Sequence, residues 1–229
     1  MQYIIVLFIA LFIVLAVLGA LSASKRKKEL TEWAARRGLR FIDTMEQRMD
    51  DRFPGFDCLR SGSNRYAYNI MDGDWSGRPF LCFDYHYETT SRDHDGKTTT
   101  HNHYFSAVIL ESTVPLRPLF IRPEGFFDKL SEFIGFDDID FESAEFSRKF
   151  YVKAPDRKWA YDVIHQRTME FLLSQPKFTI QMDGSHVIAQ DGSTFGTAKF
   201  ESAAAVIQGM LDRLPNYLVE EQKRTDQST

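Results

Sequence analysis

The side chains with most potential for chemistry are the histidines near the middle of the chain. Four of the six histidines fall between residues 86 and 103, with aspartates and a cysteine beside them. Imidazole and carboxylate groups are zinc ligands, and residues two apart on a strand point to the same face. His101 and His103 would therefore face together, with His86 as the third candidate ligand. A hydrolase site would draw on the same three residues.

We nevertheless expect no metal at this position. Two same-face histidines on an exposed hairpin lack a third ligand from an element lying over them. Their spacing matches neither the HExxH motif nor a pair of CxxC motifs. The segment is polar along most of its length, which is typical of a solvated hairpin tip. We therefore predict neither a metal nor a cofactor.

Other reactive side chains are expected to be structural. The acidic residues 137–142 lack the central glycine of a calcium-binding loop, and Ile139 and Phe141 among them indicate a strand edge or a turn packing inward. Cys82 and His86 lie four apart on one predicted strand, about 13 Å from each other, which is too far for a catalytic dyad. The chain contains no GxSxG, GxGxxG or P-loop motif. We therefore predict no catalytic residue.

The first 28 residues carry the strongest pattern. Residues 2–24 contain no charged side chain and are mostly apolar, and Lys25, Arg26, Lys27 and Lys28 follow at once. About 20 apolar residues cross the hydrocarbon core as a helix, and a basic cluster after such a span tends to stay on the cytoplasmic side. The pattern predicts a single-pass anchor in the cell inner membrane and a soluble part facing the cytoplasm. The four basic residues would contact lipid head groups.

The alternative is a cleavable signal peptide, with small residues such as Ala20 and Ala23 near the cleavage site. A secretory signal begins with basic residues and has an apolar stretch of roughly 7–15 residues. Here the stretch is longer and the positive charges follow it, which favours an uncleaved anchor.

Composition narrows the possible functions of the part of the chain after residue 28. The net charge is −4 and the aromatic content is 14%, which favour a packed domain and disfavour a nucleic-acid function. Cys58 and Cys82 have no CxxC spacing and are expected to be free thiols in a reducing cytosol.

Hydrophobic periodicity predicts a short helix and then a β-rich part. The helix covers residues 29–37, with Leu30, Trp33 and Ala34 on one face and Gly38 at its end. Strands are predicted at residues 65–70, 79–89, 100–111 and 119–122. A turn is predicted from the dipeptides at residues 72–73 and 76–77, and an exposed loop at residues 90–99.

Helical signals dominate after residue 123. Helices are predicted at residues 123–135 and 155–176, a strand at 146–152, and a hairpin at 178–189 around a type I′ turn at residues 183–184. The last helix has the most regular apolar stripe, formed by Phe200, Ala203, Ala204, Ile207, Met210, Leu211 and Leu214.

These elements indicate an α+β fold: one amino-terminal transmembrane helix, then a mostly antiparallel sheet packed with amphipathic helices. We expect the transmembrane helix at residues 1–24 and a juxtamembrane basic helix with a linker at 25–48. The cytosolic domain would cover residues 49–215, and residues 216–229 would form a flexible polar tail.

Three strings of residues resemble a known set. They are GRPFLCFDY at residues 77–85, PEG at 123–125 with Lys129 and Leu130, and DIDFE at 138–142 with EFS at 145–147. The set is similar to that of an uncharacterised family of bacterial single-pass membrane-anchored proteins with a cytosolic α+β domain. The resemblance covers about residues 52–173 and implies the architecture, and it carries no catalytic residue.

The function that these patterns favour is a membrane-tethered cytosolic protein-interaction or scaffold module. Its partners would be membrane lipid, through the amino-terminal helix, and another protein, but no nucleic acid. Two alternatives stay open: a domain that binds the lipid surface, and a membrane-anchored hydrolase with its site near the His86, His101 and His103 hairpin.

Overall fold

A computed structural model describes residues 2–125, 138–218 and 220. The chain begins with one continuous helix, α1 (Gln2–Arg37). Over the described residues, none of the helices combines the length and the apolar character that crossing a membrane requires.

The centre of the fold is a six-stranded sheet in which all neighbouring strands are antiparallel. Its strands are β1 (Arg40–Ile42), β2 (Ser63–Trp75), β3 (Arg78–Arg92), β4 (Thr98–Pro123), β5 (Phe150–Lys153) and β6 (Thr179–Gln190). The strand order is β1-β2-β3-β4-β5, and β6 also pairs with β4. Phe120 of β4 pairs with both Lys153 and Gln181, so β5 and β6 lie on opposite edges of β4.

Helices cover both faces of this sheet. They are α2 (Met49–Arg52), α3 (Asp57–Arg60), α4 (Ala144–Ser147), α5 (Arg157–Val163), α6 (Gln166–Ser174) and α7 (Thr197–Leu211). Side chains of α1, α5, α6 and α7 pack with Cys82 and Val108 on one face, which we call the long-helix face. Side chains of α2 and α3 pack with Phe83 on the other, the short-helix face. The mostly antiparallel α+β architecture is therefore confirmed.

The second half of α1 is part of the packed domain. Leu30, Trp33 and Ala34 are buried on the face that the periodicity predicts. Gly38 ends the helix with φ of +69°, and the Leu39 N–H donates to the Ala34 carbonyl. After Gly38 the chain pairs with β2 as β1. Residues 25–48, expected to be a juxtamembrane helix and linker, thus contribute side chains to the core.

The hairpin predicted around residues 183–184 is wrong, because β6 is one continuous strand along β4. Gly184 does have positive φ, +56°, but it lies opposite Leu116 where the register of the two strands shifts. The sequence signal for a turn therefore marks an irregularity within a strand pair. The two strands predicted at 100–111 and 119–122 are likewise one strand, β4, because β6 pairs along both parts.

Other predicted elements have different bounds in the structure. Residues 72–73 lie inside β2, and the turn is at Ser76 and Gly77, which both have positive φ. The helix predicted at residues 155–176 is two helices, α5 and α6, separated by Ile164 and His165. The strand predicted at residues 146–152 begins only at Phe150, after α4. The helix predicted at residues 123–135 lies almost entirely outside the described residues.

Candidate functional site

The most unusual side chain in the sheet is Asp84, in the middle of β3. It lies on the long-helix face with 0% of its surface exposed. The guanidinium of Arg26 reaches it from α1: Nε donates to Oδ2 at 3.0 Å and Nη2 donates to Oδ1 at 2.6 Å. A buried carboxylate is very unfavourable unless it is paired, so this bidentate contact is the reason why Asp84 can occupy the position.

Two further donors complete the environment of Asp84. Asn69 Nδ2 donates to Oδ2 at 2.9 Å, and Ser106 Oγ donates to Oδ1 at 2.5 Å. Ser106 Oγ in turn accepts from the Phe195 backbone N–H at 2.8 Å, just before α7. We call Arg26, Asn69, Asp84 and Ser106 the Asp84 cluster. It joins α1, three strands and the segment that leads into α7.

Backbone geometry aims Asn69 at this cluster. Asn69 has φ of +48°, a backbone conformation that residues other than glycine adopt only at a cost in free energy. It lies where the β2–β3 register shifts between Tyr68 and Met71. The bulge therefore turns the Asn69 amide towards Asp84, on a strand that would otherwise alternate regularly.

Two side chains next to the Asp84 cluster have raised pKa values. Burial, and then the charge of Asp84, raise the pKa of the Tyr68 phenol. The same two causes raise the pKa of the fully buried Cys82 thiol well above its ordinary value. A buried, neutral thiol is a poor nucleophile, so these properties favour a core role for Cys82.

Next to Asp84, four rings form a row across β2, β3 and β4 on the long-helix face. Tyr66 stacks on His86 at 4.6 Å, Tyr104 lies 4.9 Å from His86, and Tyr68 lies 5.9 Å from Tyr66. We call these rings the tyrosine row. His86 is 2% exposed, its Nδ1 lies 3.0 Å from the Asn64 carbonyl, and its Nε2 lies 2.9 Å from the Asn102 amide. Both ring nitrogens are engaged within the sheet.

The three histidines considered as metal or hydrolase candidates do not meet. His101 and His103 pair with Thr89 and Tyr87, which places them on the short-helix face, opposite His86. His103 Nε2 lies 2.7 Å from Thr89 Oγ1, and His101 Nε2 lies 2.9 Å from Ser91 Oγ. Within the described residues no three His, Cys, Asp or Glu side chains are grouped so as to hold a metal ion. Ile139 and Phe141 are buried, which confirms that they pack inward.

The four basic residues after the apolar stretch have different roles. Lys25 and Lys28 make only exposed contacts at 3.9 Å with glutamates one turn later in α1. Lys27 pairs with Asp43 at 2.5 Å. Of the four, Arg26 is the one that pairs with a buried side chain of the sheet. In the sequence the four basic residues look equivalent. The one signal that could have pointed to a buried partner was Asp84, a carboxylate among apolar residues of the strand predicted at residues 79–89.

A cleft lies on the short-helix face at the other end of the sheet. Its two adjoining parts have volumes of about 360 and 200 Å3 and share Arg52, Phe53 and His186. Burial is the main cause that lowers the pKa of His186, so its ring is neutral near pH 7. Ser185 Oγ lies 3.4 Å from His186 Nδ1, longer than the about 2.6–3.2 Å expected of an activated nucleophile. The cleft can admit a small molecule but does not present a nucleophile and base ready to react.

Comparison with known proteins finds a similar fold but identifies no family. No protein-family model and no curated protein matches the sequence. Among solved structures, the mycobacterial trehalose monomycolate transport factor A, TtfA, is similar with a TM-score of 0.59 and 11% sequence identity. The similarity covers 81% of this chain and 92% of that one. At this identity the likeness establishes a shared fold and nothing further.

Proposed function

We propose that this chain is a membrane-tethered, non-enzymatic interaction module whose domain faces the cytoplasm. Residues 2–24 would be the anchor, because they carry no charge and are followed by four basic residues. The described side chains of this part of α1 are largely exposed and apolar, for example Phe12 at 74% and Leu21 at 62%. Apolar surface of this kind is costly in water and favourable in a bilayer.

The observation that carries the proposal is the continuity between the proposed anchor and the domain. α1 runs from Gln2 to Arg37 without a break, and Arg26 is fixed to the buried Asp84 only two residues after the apolar stretch. Leu30 and Trp33 are buried further along the same helix. A flexible linker would let a domain turn freely above the membrane. This arrangement instead holds the sheet at a set height above the membrane and in a fixed position relative to α1.

The polar groups support a structural role for the domain. Asp84, His86, His101 and His103 are each held by hydrogen bonds to neighbouring side chains or backbone. The hydrolase alternative therefore gains no support from the described residues. The transport role that the name of TtfA states suggests a narrower form of the proposal: an accessory module for lipid transport at the membrane.

Proximity labelling in the native cell tests the proposal. A labelling enzyme is fused after Thr229 of the full chain, and the control carries the same enzyme on residues 1–38 alone. We expect the full chain to label a discrete set of membrane-associated proteins that the control does not. Identical sets from both fusions would contradict an interaction role for the domain.

A further inference from the structure

The tyrosine row lies towards the end of the domain from which the amino-terminal part of α1 extends. Leu39, just after α1, contacts Gly73, which pairs with Phe80 of β3. Arg26, earlier in α1, contacts Asp84, further along β3. The helix and the strand therefore run in opposite directions. A path along α1 from Arg26 towards the amino terminus follows the same direction as β3 from Asp84 to His86 and the β3–β4 hairpin.

The row begins at the level where the apolar stretch ends. Tyr68 pairs with Asp84 across β2 and β3, and Tyr66 and Tyr104 pair with His86 one step further along. Ser24, the last residue of the uncharged stretch, is two residues from Arg26. The rings therefore lie at, and beyond, the boundary between the charged and the uncharged parts of α1.

Their chemistry is that of a membrane interface. Tyr104 is 49% exposed, and Tyr66 and Tyr68 are partly exposed. Within the described residues, none of the three phenol hydroxyls has a hydrogen-bond partner, although the rings pack on one another and on His86. Tyrosine is enriched at the head-group level of membranes because its ring is apolar and its hydroxyl is polar.

We propose that Tyr66, Tyr68 and Tyr104 form a second contact with the bilayer, at the head-group layer of the membrane that α1 enters. The inference rests on the proposed anchor. The hairpin beyond these rings is polar, and its tip carries Arg92, Asp93, Asp95 and Lys97. Such a segment does not enter hydrocarbon, so the proposed contact requires the hairpin beyond the rings to bend away from the direction of α1 and lie along the membrane surface. Because the tip has both signs of charge, the tyrosines rather than net charge provide the attraction.

This contact would complete the positioning of the domain. A single helix fixes the height of a domain above the membrane. It still allows the domain to rotate about the helix axis and to tilt. A second contact on the sheet, away from that axis, restricts both. The Asp84 cluster links the two contacts, because Arg26 belongs to the helix and Asp84 to the strand that carries His86.

The test uses the full chain reconstituted into phosphatidylcholine vesicles that contain bromine-labelled lipid, which quenches tryptophan on contact. Tyr104→Trp places the probe in the row. His101→Trp, on the opposite face of the same hairpin, and Tyr161→Trp, an exposed position in α5, are the controls. Each variant is compared with the unsubstituted chain to subtract Trp33, Trp75 and Trp159.

We expect brominated lipid to quench Tyr104→Trp strongly and to leave both controls unquenched. In the same vesicles, Tyr104→Trp should lose its accessibility to aqueous iodide. A membrane-inserted chain, shown by resistance to alkaline extraction, in which Tyr104→Trp is quenched no more than the controls would overturn the second contact and leave the anchor standing. A chain that alkaline extraction removes would overturn the anchor and the second contact together.

Discussion

At the scale of single residues, Asp84 is a buried carboxylate that joins several elements of the fold. Its carboxylate is fully buried and receives donors from Arg26, Asn69 and Ser106. Burying a charge costs several kcal/mol, and the contact with Arg26 offsets that cost only while the geometry is kept. The cluster therefore links the position of α1 to the position of β3.

Removing this carboxylate should be costly. Asp84→Ala leaves the Arg26 guanidinium without its partner, and we expect the free energy of unfolding to fall by about 3 kcal/mol, as for other broken buried pairs. The control is Arg40→Ala, which removes an exposed bidentate pair with Asp72 and should cost much less than the loss of Asp84. Urea titration of the detergent-solubilised full chain measures both. Equal losses would show that the Asp84 cluster adds nothing beyond a surface ion pair.

The histidines of the hairpin allow a second prediction at this scale. Because His86 faces away from His101 and His103, we expect the chain purified without chelators to contain no stoichiometric zinc. Elemental analysis measures the content directly. About one zinc per chain, lost in His101→Ala, would favour the hydrolase alternative.

At the scale of elements, the contact between α1 and α7 holds the first helix on the domain. The Trp33 indole donates to Glu201 Oε1 at 2.8 Å, and Arg37 pairs with the same carboxylate at 2.6 Å. Trp33 also stacks on Phe200 at 5.8 Å. The hydrogen bond from Trp33 and then the charge and hydrogen bond of Arg37 lower the pKa of Glu201 below its ordinary value of 4.5.

This shift gives a pH-dependent contribution to stability. The folded chain binds the Glu201 proton more weakly than the unfolded chain does, so the contribution is present above pH 4.5 and is lost as the pH falls through the lower, folded-state pKa. We expect Glu201→Gln to be less stable than the parent chain at pH 7, and the difference to shrink below pH 4.5. Urea titrations at several pH values measure it. A difference independent of pH would contradict the assignment.

The apolar stripe of α7 should be structural. Ile207 is 0% exposed, and truncating a buried isoleucine to alanine typically costs about 2–5 kcal/mol. We therefore expect Ile207→Ala to lower the melting temperature by several degrees or to make the chain insoluble. Ala205→Gln, at an exposed position of the same helix, should change stability by less than about 0.5 kcal/mol. Similar behaviour of the two variants would contradict the packing of this stripe against the sheet.

At the scale of the whole molecule, the proposed membrane topology follows from the basic residues after the apolar stretch. The proposed rigid link between α1 and the sheet follows from tertiary contacts. We expect a reporter that is active only in the periplasm to be inactive when fused after Thr229. The charge reversal Lys25→Glu, Lys27→Glu and Lys28→Glu should invert or scramble insertion and activate the reporter, since orientation follows the Lys/Arg bias. Arg26 is kept in this variant, because its loss would disturb Asp84 as well as the charge bias. An active reporter in the parent chain would contradict the cytoplasmic orientation.

The sequence by itself determined the features that depend on local pattern. The α+β class, the buried faces of the helix ending at Gly38 and of α7, and the strand through residues 79–89 follow from hydrophobic periodicity and turn residues. The predicted anchor and its orientation also come from composition and charge alone.

Tertiary structure decided the features in which distant segments compete for the same groups. Residues 183–184 have the sequence of a turn. However, β6 continues through them because β4 offers backbone partners to the residues before and after them. Asp84 appeared in the sequence only as one more carboxylate near the histidines. It became the centre of the candidate site because folding brings Arg26, 58 residues away in the chain, to its oxygens. Local pattern cannot encode that pairing, since burial of a charge is stable only when the complete set of partners is present.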